Sequence, residues 1–256
     1  MDNNELIFHD IPPSQCNNQP SQYTKPPDNF RPLVLSPSSI LYLAVISPHT
    51  DKYEIHGPVP CFSRLLPMIT ELASDSPSAL DKLESLQYFA EDVWGERKEN
   101  TAFEKQGFTT LIIEGQRGTY TVLEVLREEN AKVKEVLPAP VYTVTRHGPL
   151  VHTFIGVGTK SKLGVAKGVA ATSTLVGSFV DRKDAESAAK ATMDLLTRGE
   201  DTVSRIEDWG KGDGGGVLLA MGVAKRWEVN VQYENDTLGR ARVRAEAEGA
   251  GLGWRF

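Results

Sequence analysis

The stretch TLIIEG, residues 110–115, decides the fold that the sequence predicts. Its apolar residues indicate a buried strand, and the turn after it leads into a second apolar stretch at 120–126, so the segment predicts a β-hairpin. The stretch VLLAMG at 217–222 aligns with the first one without a gap, and in the same register Tyr120 aligns with Trp227. The chain therefore contains two hairpins of one pattern.

The elements around the two hairpins also follow one order: strand, turn or loop, strand, helix, acidic–Trp–Gly segment, strand, strand. The segment EDVWG at 91–95 corresponds to EDWG at 207–210. Chance similarity of two hairpins is the alternative explanation, but the shared order favours an internal duplication. The predicted fold class is α+β, with two related β-β-α-β-β halves that form a pseudo-twofold body of mostly antiparallel sheet and helices on one face.

Neither predicted half can shield its own sheet from water. A sheet of three or four strands with one helix has one covered face, so its other apolar face needs a further partner. Two such halves can cover each other or join their edges. A junction of this kind commonly leaves a cleft that takes a ligand or a peptide.

Composition divides the chain into four parts. Residues 1–38 are rich in Asn, Gln, Ser and Pro and predict a disordered tail. The first α+β half is predicted at 39–130, a charged, proline-ended linker at 131–140, and the second α+β half at 141–256. The second half contains a glycine-rich basic loop at 148–172.

The charge and the cysteine content restrict function and location. The net charge is −6, whereas proteins that bind nucleic acid usually carry a basic field, so no nucleic-acid partner is expected. The two scattered cysteines, Cys16 and Cys61, predict neither a disulfide framework nor a metal site. No apolar run is long enough to cross a bilayer, and residues 1–10 lack the features of a secretory signal. We therefore expect a cytoplasmic or nuclear protein without membrane contact.

The sharpest catalytic pattern is Arg146-His147-Gly148, which follows a predicted strand. It resembles the signature of the histidine phosphatase superfamily, in which the His takes up the phosphoryl group and the Arg holds it. The resemblance implies a further Arg and a second late His, whereas the only later histidine here is His152. The strand–helix alternation of a parallel sheet is also missing. The triplet HGP recurs at 56–58, so a strand-ending device is the alternative interpretation.

Lys160 and Lys162 lie in the loop GVGTKSKLG at 156–164, where backbone amides and basic side chains are suited to an anion. The glycine spacing fits neither a P-loop nor a dinucleotide fingerprint, and a mobile insertion is the alternative. With Arg146 and His147, these lysines are candidate ligand-binding residues. They support an alternative function, an enzyme that acts on an anionic or phosphorylated small molecule through 146–172.

Trp94 and Trp209 recur beside acidic pairs in the two halves and complete the set of candidate ligand-binding residues. Adjacent acids in a helix point in different directions, so these pairs do not predict a general acid–base dyad. No residue is predicted to be catalytic, and neither a cofactor nor a metal is predicted. The sequence favours a non-catalytic binding or protein-interaction module. Its partner, a protein or a small ligand, and its oligomeric state stay open.

Two resemblances concern the second half. The segment LVGSF at 175–179, followed by Asp181 and an alanine-rich helix, resembles the strand-to-helix entry of SPOR-type modules, which bind peptidoglycan. Any strand followed by a capped alanine helix shows this pattern, so that ligand is not carried over. The same segment, with Tyr142 and HGPL at 147–150, resembles a group of filamentous-fungal proteins without an assigned reaction. That resemblance implies no activity and suggests a eukaryotic cytosolic or nuclear setting.

Overall fold

The structure of the chain is a computed structural model that describes residues 23–88, 98–151, 168–210 and 214–234. Within these ranges the chain forms two antiparallel sheets, of four and five strands, with helices packed against them. The predicted α+β class is therefore confirmed.

The first sheet contains, in chain order, β1 (Ser39–Ser47), β2 (Lys52–Val59), β3 (Thr110–Glu114) and β4 (Tyr120–Glu129). Their spatial order is β2-β1-β4-β3, and all neighbours are antiparallel. Between β2 and β3 the chain forms α1 (Leu66–Ala73), α2 (Pro77–Gln87) and α3 (Thr101–Gln106). Pro77 occupies the first turn of α2, where its missing N–H costs no hydrogen bond.

The second sheet contains β5 (Val141–Val151), β6 (Thr174–Phe179), β7 (Ser204–Trp209), β8 (Gly216–Met221) and β9 (Lys225–Glu234). Their spatial order is β6-β5-β9-β8-β7. Three helices accompany this sheet: α4 (Ala131–Val136), α5 (Val169–Thr172) and α6 (Arg182–Leu196). Ala185, Ala189 and Met193 of α6 pack on Trp227 and Val229, so α6 covers one face of the sheet.

The side chains of β1 alternate between two cores, one on each face of the first sheet. Leu41 and Leu43 point to the side where α1 and α2 pack, whereas Ile40 and Tyr42 point to the other side and pack with Val141 of the second sheet. Full burial of a large apolar side chain contributes roughly 1.5–3 kcal/mol, so both faces add to stability. A strand covered on both faces has a continuous apolar sequence, which is what β1 shows.

The two sheets face each other across a junction that also holds polar groups. The Tyr42 hydroxyl donates to Glu128 Oε2 at 2.5 Å and lies 2.8 Å from Ser178 Oγ. The N–H of Ser178 donates to Glu128 Oε2 at 3.1 Å, and Thr143 Oγ1 lies 2.9 Å from Ser178 Oγ. Asn130 Nδ2 donates to Glu128 Oε1 at 2.8 Å and to the Ser178 carbonyl at 2.9 Å. These bonds tie β1 and β4 to β5 and β6 and fix the position of one sheet on the other.

The two sheets share one strand order around their central strands. In the first sheet β1 lies between β2 and β4, and β3 follows β4; in the second, β5 lies between β6 and β9, and β8 follows β9. The hairpins predicted at 110–126 and 217–233 therefore occupy equivalent places. The second sheet has one further strand, β7, beyond β8. This correspondence agrees with a duplication, which stays a prediction, as do the predicted domain boundaries.

Part of the predicted tail is ordered against the first sheet. The N–H of Asn29 donates to the Thr110 carbonyl at 2.9 Å, so the chain runs along the edge of β3 there. Phe30 and Leu33 pack on the core between this sheet and its helices. These few apolar residues anchor a proline-rich segment whose composition alone predicts disorder. Residues 1–22 lie outside the described residues.

The two His-Gly-Pro triplets lie within strands and do not end them. Gly57 in β2 and Gly148 in β5 have φ angles of 117° and 120°, a region that favours glycine. Each lies at an irregularity in register, and an added Cβ would stand 2.8 Å from a backbone oxygen of the neighbouring strand, that of Leu41 or Arg226. The predicted strand-ending role is therefore wrong, because each triplet carries its strand through a bulge.

Two segments predicted without secondary structure contain helices. Within the predicted linker at 131–140, α4 begins after Asn130, whose side-chain oxygen accepts from the Val133 N–H at 3.1 Å. Val133 is buried in the junction between the sheets. The predicted loop at 148–172 starts inside β5 and ends with α5, and its residues 152–167 lie outside the described part of the chain.

Candidate binding surface

Arg146 and His147 are adjacent in β5 and therefore point to opposite faces of the second sheet. His147 is buried in the junction, where its ring lies edge-on to Tyr53 at 6.2 Å between centroids and its Nδ1 lies 2.5 Å from Ser173 Oγ. On the other face, Arg146 Nε donates to Thr174 Oγ1 at 3.1 Å. The structure does not bring the two side chains into one site.

The imidazole of His147 is held in an environment that favours its neutral form. Burial lowers the pKa of His147 below 6.5, because the charged ring would lose hydration. The nearby charge of Glu228 acts in the opposite direction, and that of Arg226 adds to the lowering. The enclosed neutral ring agrees with a structural role in the junction.

Trp209 packs at the end of β7, on the side of the second sheet that α6 covers. Its Nε1 donates to Glu207 Oε2 at 3.1 Å, and Lys190 Nζ lies 5.7 Å from the ring centroid. The hydrogen bonds from Trp209 and then from Lys190 lower the pKa of Glu207. Gly216 lies directly against the indole, since an added Cβ would stand 2.1 Å from Trp209 Cε3. Trp209 thus joins β7 to β8 and α6.

The remaining three candidate ligand-binding residues belong to segments that the structure does not describe. Trp94, Lys160 and Lys162 all lie outside the described residues.

A cavity of about 120 Å³ lies between α6 and β7. Its walls include two ion pairs: Lys190 Nζ lies 3.3 Å from Glu207 Oε2, and Arg205 Nη1 lies 2.5 Å from Asp194 Oδ1. The charges of this cavity therefore neutralise each other within the chain. A second cavity, of about 270 Å³, lies on the first sheet near Val45.

Apolar side chains are exposed on the other side of β7 and β8. Alternation directs Leu218 to the α6 side and Leu219 to the opposite side, where Leu219 pairs in register with Ile206. Ile206 is 55% exposed, Met221 is 46% exposed and Val223, in the following turn, is 84% exposed. We call Ile206, Leu219, Met221 and Val223 the β7–β8 platform.

The platform is open because of where β7 lies. The first sheet covers β5 and β6 across the junction. In the second sheet, β8 and β7 lie on the far side of β9 and extend beyond the first sheet. All residues of β7 except Trp209 are exposed, and within the described residues the strand pairs with β8 alone. As far as the described residues show, the platform thus ends at a sheet edge without a further strand.

Comparisons with known proteins give no relative for this chain: no family model, no curated protein and no solved structure matches it. Within the described ranges, no cluster of three or more His, Cys, Asp or Glu side chains is arranged to hold a metal ion. None of the helices in those ranges combines the length and apolar character that a bilayer crossing requires.

Sequence reasoning missed the platform. The run at 217–221 is apolar without alternation, which predicts a strand buried on both sides. Only the place of β8 in the sheet shows that one of its faces is open. A single signal was present in the sequence: Ile206 stands alone among the polar residues of SRIED at 204–208.

Proposed function

We propose that this chain is a non-catalytic protein-interaction module that binds a partner protein through the β7–β8 platform. The observation that carries the proposal is the exposure of Ile206 and Met221 beside the half-buried Leu219, on one side of two paired strands, with the exposed Val223 in the turn that follows β8. Contiguous exposed apolar groups of this kind mark interaction sites, since water contact costs about 25 cal/mol for each Å².

The surroundings of the platform resemble those of a protein-binding patch. Arg226 pairs in register with Met221, and Glu228 pairs with Leu219, so polar side chains of β9 border the apolar group. A polar border around an apolar centre is the usual anatomy of a protein interface. We therefore expect a partner that places an apolar or aromatic side chain over Leu219.

The charges on the described residues support a protein partner more than a small anion. The basic groups at the cavity beside β7, Lys190 and Arg205, already pair with Glu207 and Asp194. Arg146 and His147 act on opposite sides of the sheet, and burial favours the neutral form of His147. The described residues therefore offer no unpaired basic cluster at these positions.

A site-specific photo-crosslinker tests the proposal. A photoreactive amino acid replaces Met221 on the platform, and in a matched control it replaces Leu195, an exposed residue of α6. We expect ultraviolet light to link residue 221, but not residue 195, to a defined partner protein in cells of the source organism. Met221→Asp is expected to prevent copurification of that same partner.

The opposite results would contradict the proposal. Equal crosslinking from positions 195 and 221, or unchanged copurification of the partner with Met221→Asp, places the binding surface elsewhere. Crosslinking from neither position, with a folded chain, shows that the platform has no stable partner.

A further inference from the structure

The outer edge of β7, which no other described strand pairs with, has backbone groups that point away from the sheet. The Gly210 N–H donates to the Gly215 carbonyl at 2.9 Å, and this pair continues the register of β7 and β8. Bonding direction alternates along an antiparallel strand, so even-numbered residues of β7 bond to β8. The backbone N–H and C=O groups of Arg205 and Glu207 therefore point outward.

The side chains of β7 alternate in the same way. Arg205 and Glu207 lie on the α6 side, where they contact Asp194 and Lys190, whereas Ile206 lies on the platform side. A second copy could add its own β7 by a twofold axis perpendicular to the sheet. Such an axis keeps each side chain on its own side, so a residue can only pair with one of the same parity.

One of these registers is self-complementary. When Ile206 pairs with Ile206 of the second copy, Arg205 lies opposite Glu207 of that copy, and Glu207 lies opposite its Arg205. In the same register Val203 lies opposite Trp209 of the other copy. Opposite charges and apolar pairs directly across a sheet both stabilise the pairing.

Shifting the register by one step in either direction loses this complementarity. One shift pairs Arg205 with itself across the axis, and the other pairs Glu207 with itself. Like charges directly opposite are destabilising, so the register centred on Ile206 is favoured. It also makes Arg205 and Glu207 a hydrogen-bonded pair, in agreement with the outward direction of their backbone groups.

We propose that two copies of this chain dimerise by antiparallel pairing of β7 with β7, centred on Ile206, to form one continuous ten-stranded sheet. The dimer removes the free edge, which a strand with exposed backbone groups would otherwise offer to indiscriminate pairing. It also joins the two platforms at Ile206 into one surface. The proposal does not depend on the partner protein proposed above, because its test measures the association of the chain with itself.

Charge reversal with complementation tests the dimer. Arg205→Glu places Glu opposite Glu207 of a second copy, and Glu207→Arg places Arg opposite Arg205, so we expect each variant alone to dimerise at least about tenfold more weakly. A mixture of the two variants restores opposite charges at both contacts. We expect the mixture to form a heterodimer with a dissociation constant close to that of the wild-type dimer. Sedimentation equilibrium up to about 200 µM measures the dissociation constants of the wild type, of each single variant and of the mixture.

Mixing separates the interface from effects within one chain. Each variant also loses an ion pair to α6, but mixing cannot repair that loss, so recovery on mixing reports the contact between copies. Lys105→Glu, an exposed charge reversal in α3, is the matched control and is expected to dimerise like the wild type. Glu207→Pro, which removes an outward N–H but no bond to β8, is a second variant expected to be monomeric.

Several outcomes would overturn the proposal. If the wild-type chain stays monomeric throughout the concentration range, the edge of β7 does not pair with a second copy, and the proposal is wrong. Unaffected dimerisation of folded Arg205→Glu and Glu207→Arg, or a mixture no stronger than the single variants, places the dimer contact elsewhere or shows that there is none.

Discussion

Replacement of Tyr42 by Phe removes one hydroxyl from the junction between the two sheets. Tyr42 is fully buried, and its hydroxyl donates to Glu128 Oε2 at 2.5 Å and lies 2.8 Å from Ser178 Oγ. Burial, and then the charge of Glu128, raises the pKa of Tyr42, so the hydroxyl keeps its proton at neutral pH. The substitution leaves the apolar contacts of the ring in place and affects the polar contacts alone.

The expected loss of stability follows from the groups left behind. A hydrogen bond to a charged group contributes about 1.5–3 kcal/mol, and its loss leaves a partly buried carboxylate with one donor fewer. Glu128 keeps the donors of Asn130 and of the Ser178 N–H, which limits the loss. We therefore expect Tyr42→Phe to lower the free energy of unfolding by about 2 kcal/mol.

Urea denaturation monitored by circular dichroism measures this change, provided that the slope with denaturant stays constant. Tyr233→Phe is the matched control, because the Tyr233 ring packs 4.7 Å from that of Tyr142 and the described residues give its hydroxyl no hydrogen bond. We expect the control to lose less than about 0.5 kcal/mol. Equal losses for the two variants would refute the importance of the hydroxyl in the junction.

Two further predictions concern β5 and its surroundings. Gly148→Ala is expected to destabilise the chain by about 3 kcal/mol, because φ is 120° and the new Cβ would meet the Arg226 carbonyl oxygen at 2.8 Å. Gly118→Ala is the control: no atom lies within 4 Å of the added Cβ, so we expect the free energy of unfolding to fall by only about 1 kcal/mol. Similar urea midpoints for the two variants would contradict this account. Burial lowers the pKa of His147, so the neutral ring stabilises the folded chain. This contribution to the free energy of unfolding is fully present above pH 6.5, the ordinary pKa of histidine, and is lost as the pH falls below that value. Urea midpoints should therefore fall between about pH 7 and about pH 5.5 in the wild type and fall less in His147→Asn, and parallel profiles would show that His147 is not the group concerned.

The arrangement of the core strands could be predicted because it depends on local patterns. The stretch at 110–115 and its counterpart at 217–222 both form the first strand of a hairpin, as their apolar runs and following turns indicate. The number of strands and helices alone also shows that each sheet needs a packing partner on its second face. Ile40 and Tyr42 meet Val141 for this reason.

Other features depend on contacts that no local pattern contains. The His-Gly-Pro triplets act as bulges because a neighbouring backbone passes within 2.8 Å of where a Cβ would stand, and composition gives no sign of that neighbour. Arg146 and His147 suggest one site in the sequence but point to opposite faces once they lie in a strand. The β7–β8 platform exists because the first sheet stops short of β8, which depends on the packing of two sheets.

Hydrogen exchange in an Ile40→Ala variant tests most directly whether each sheet depends on the other for its cover. Ile40 lies on the junction side of β1, and deletion of such a buried side chain costs about 2–5 kcal/mol. Since the sheets share the junction, exchange should become faster at the slowest amides of β5 and β9 in the second sheet as well as in β1 and β4. Faster exchange confined to the first sheet, with β5 and β9 unchanged, would contradict the mutual cover of the two sheets.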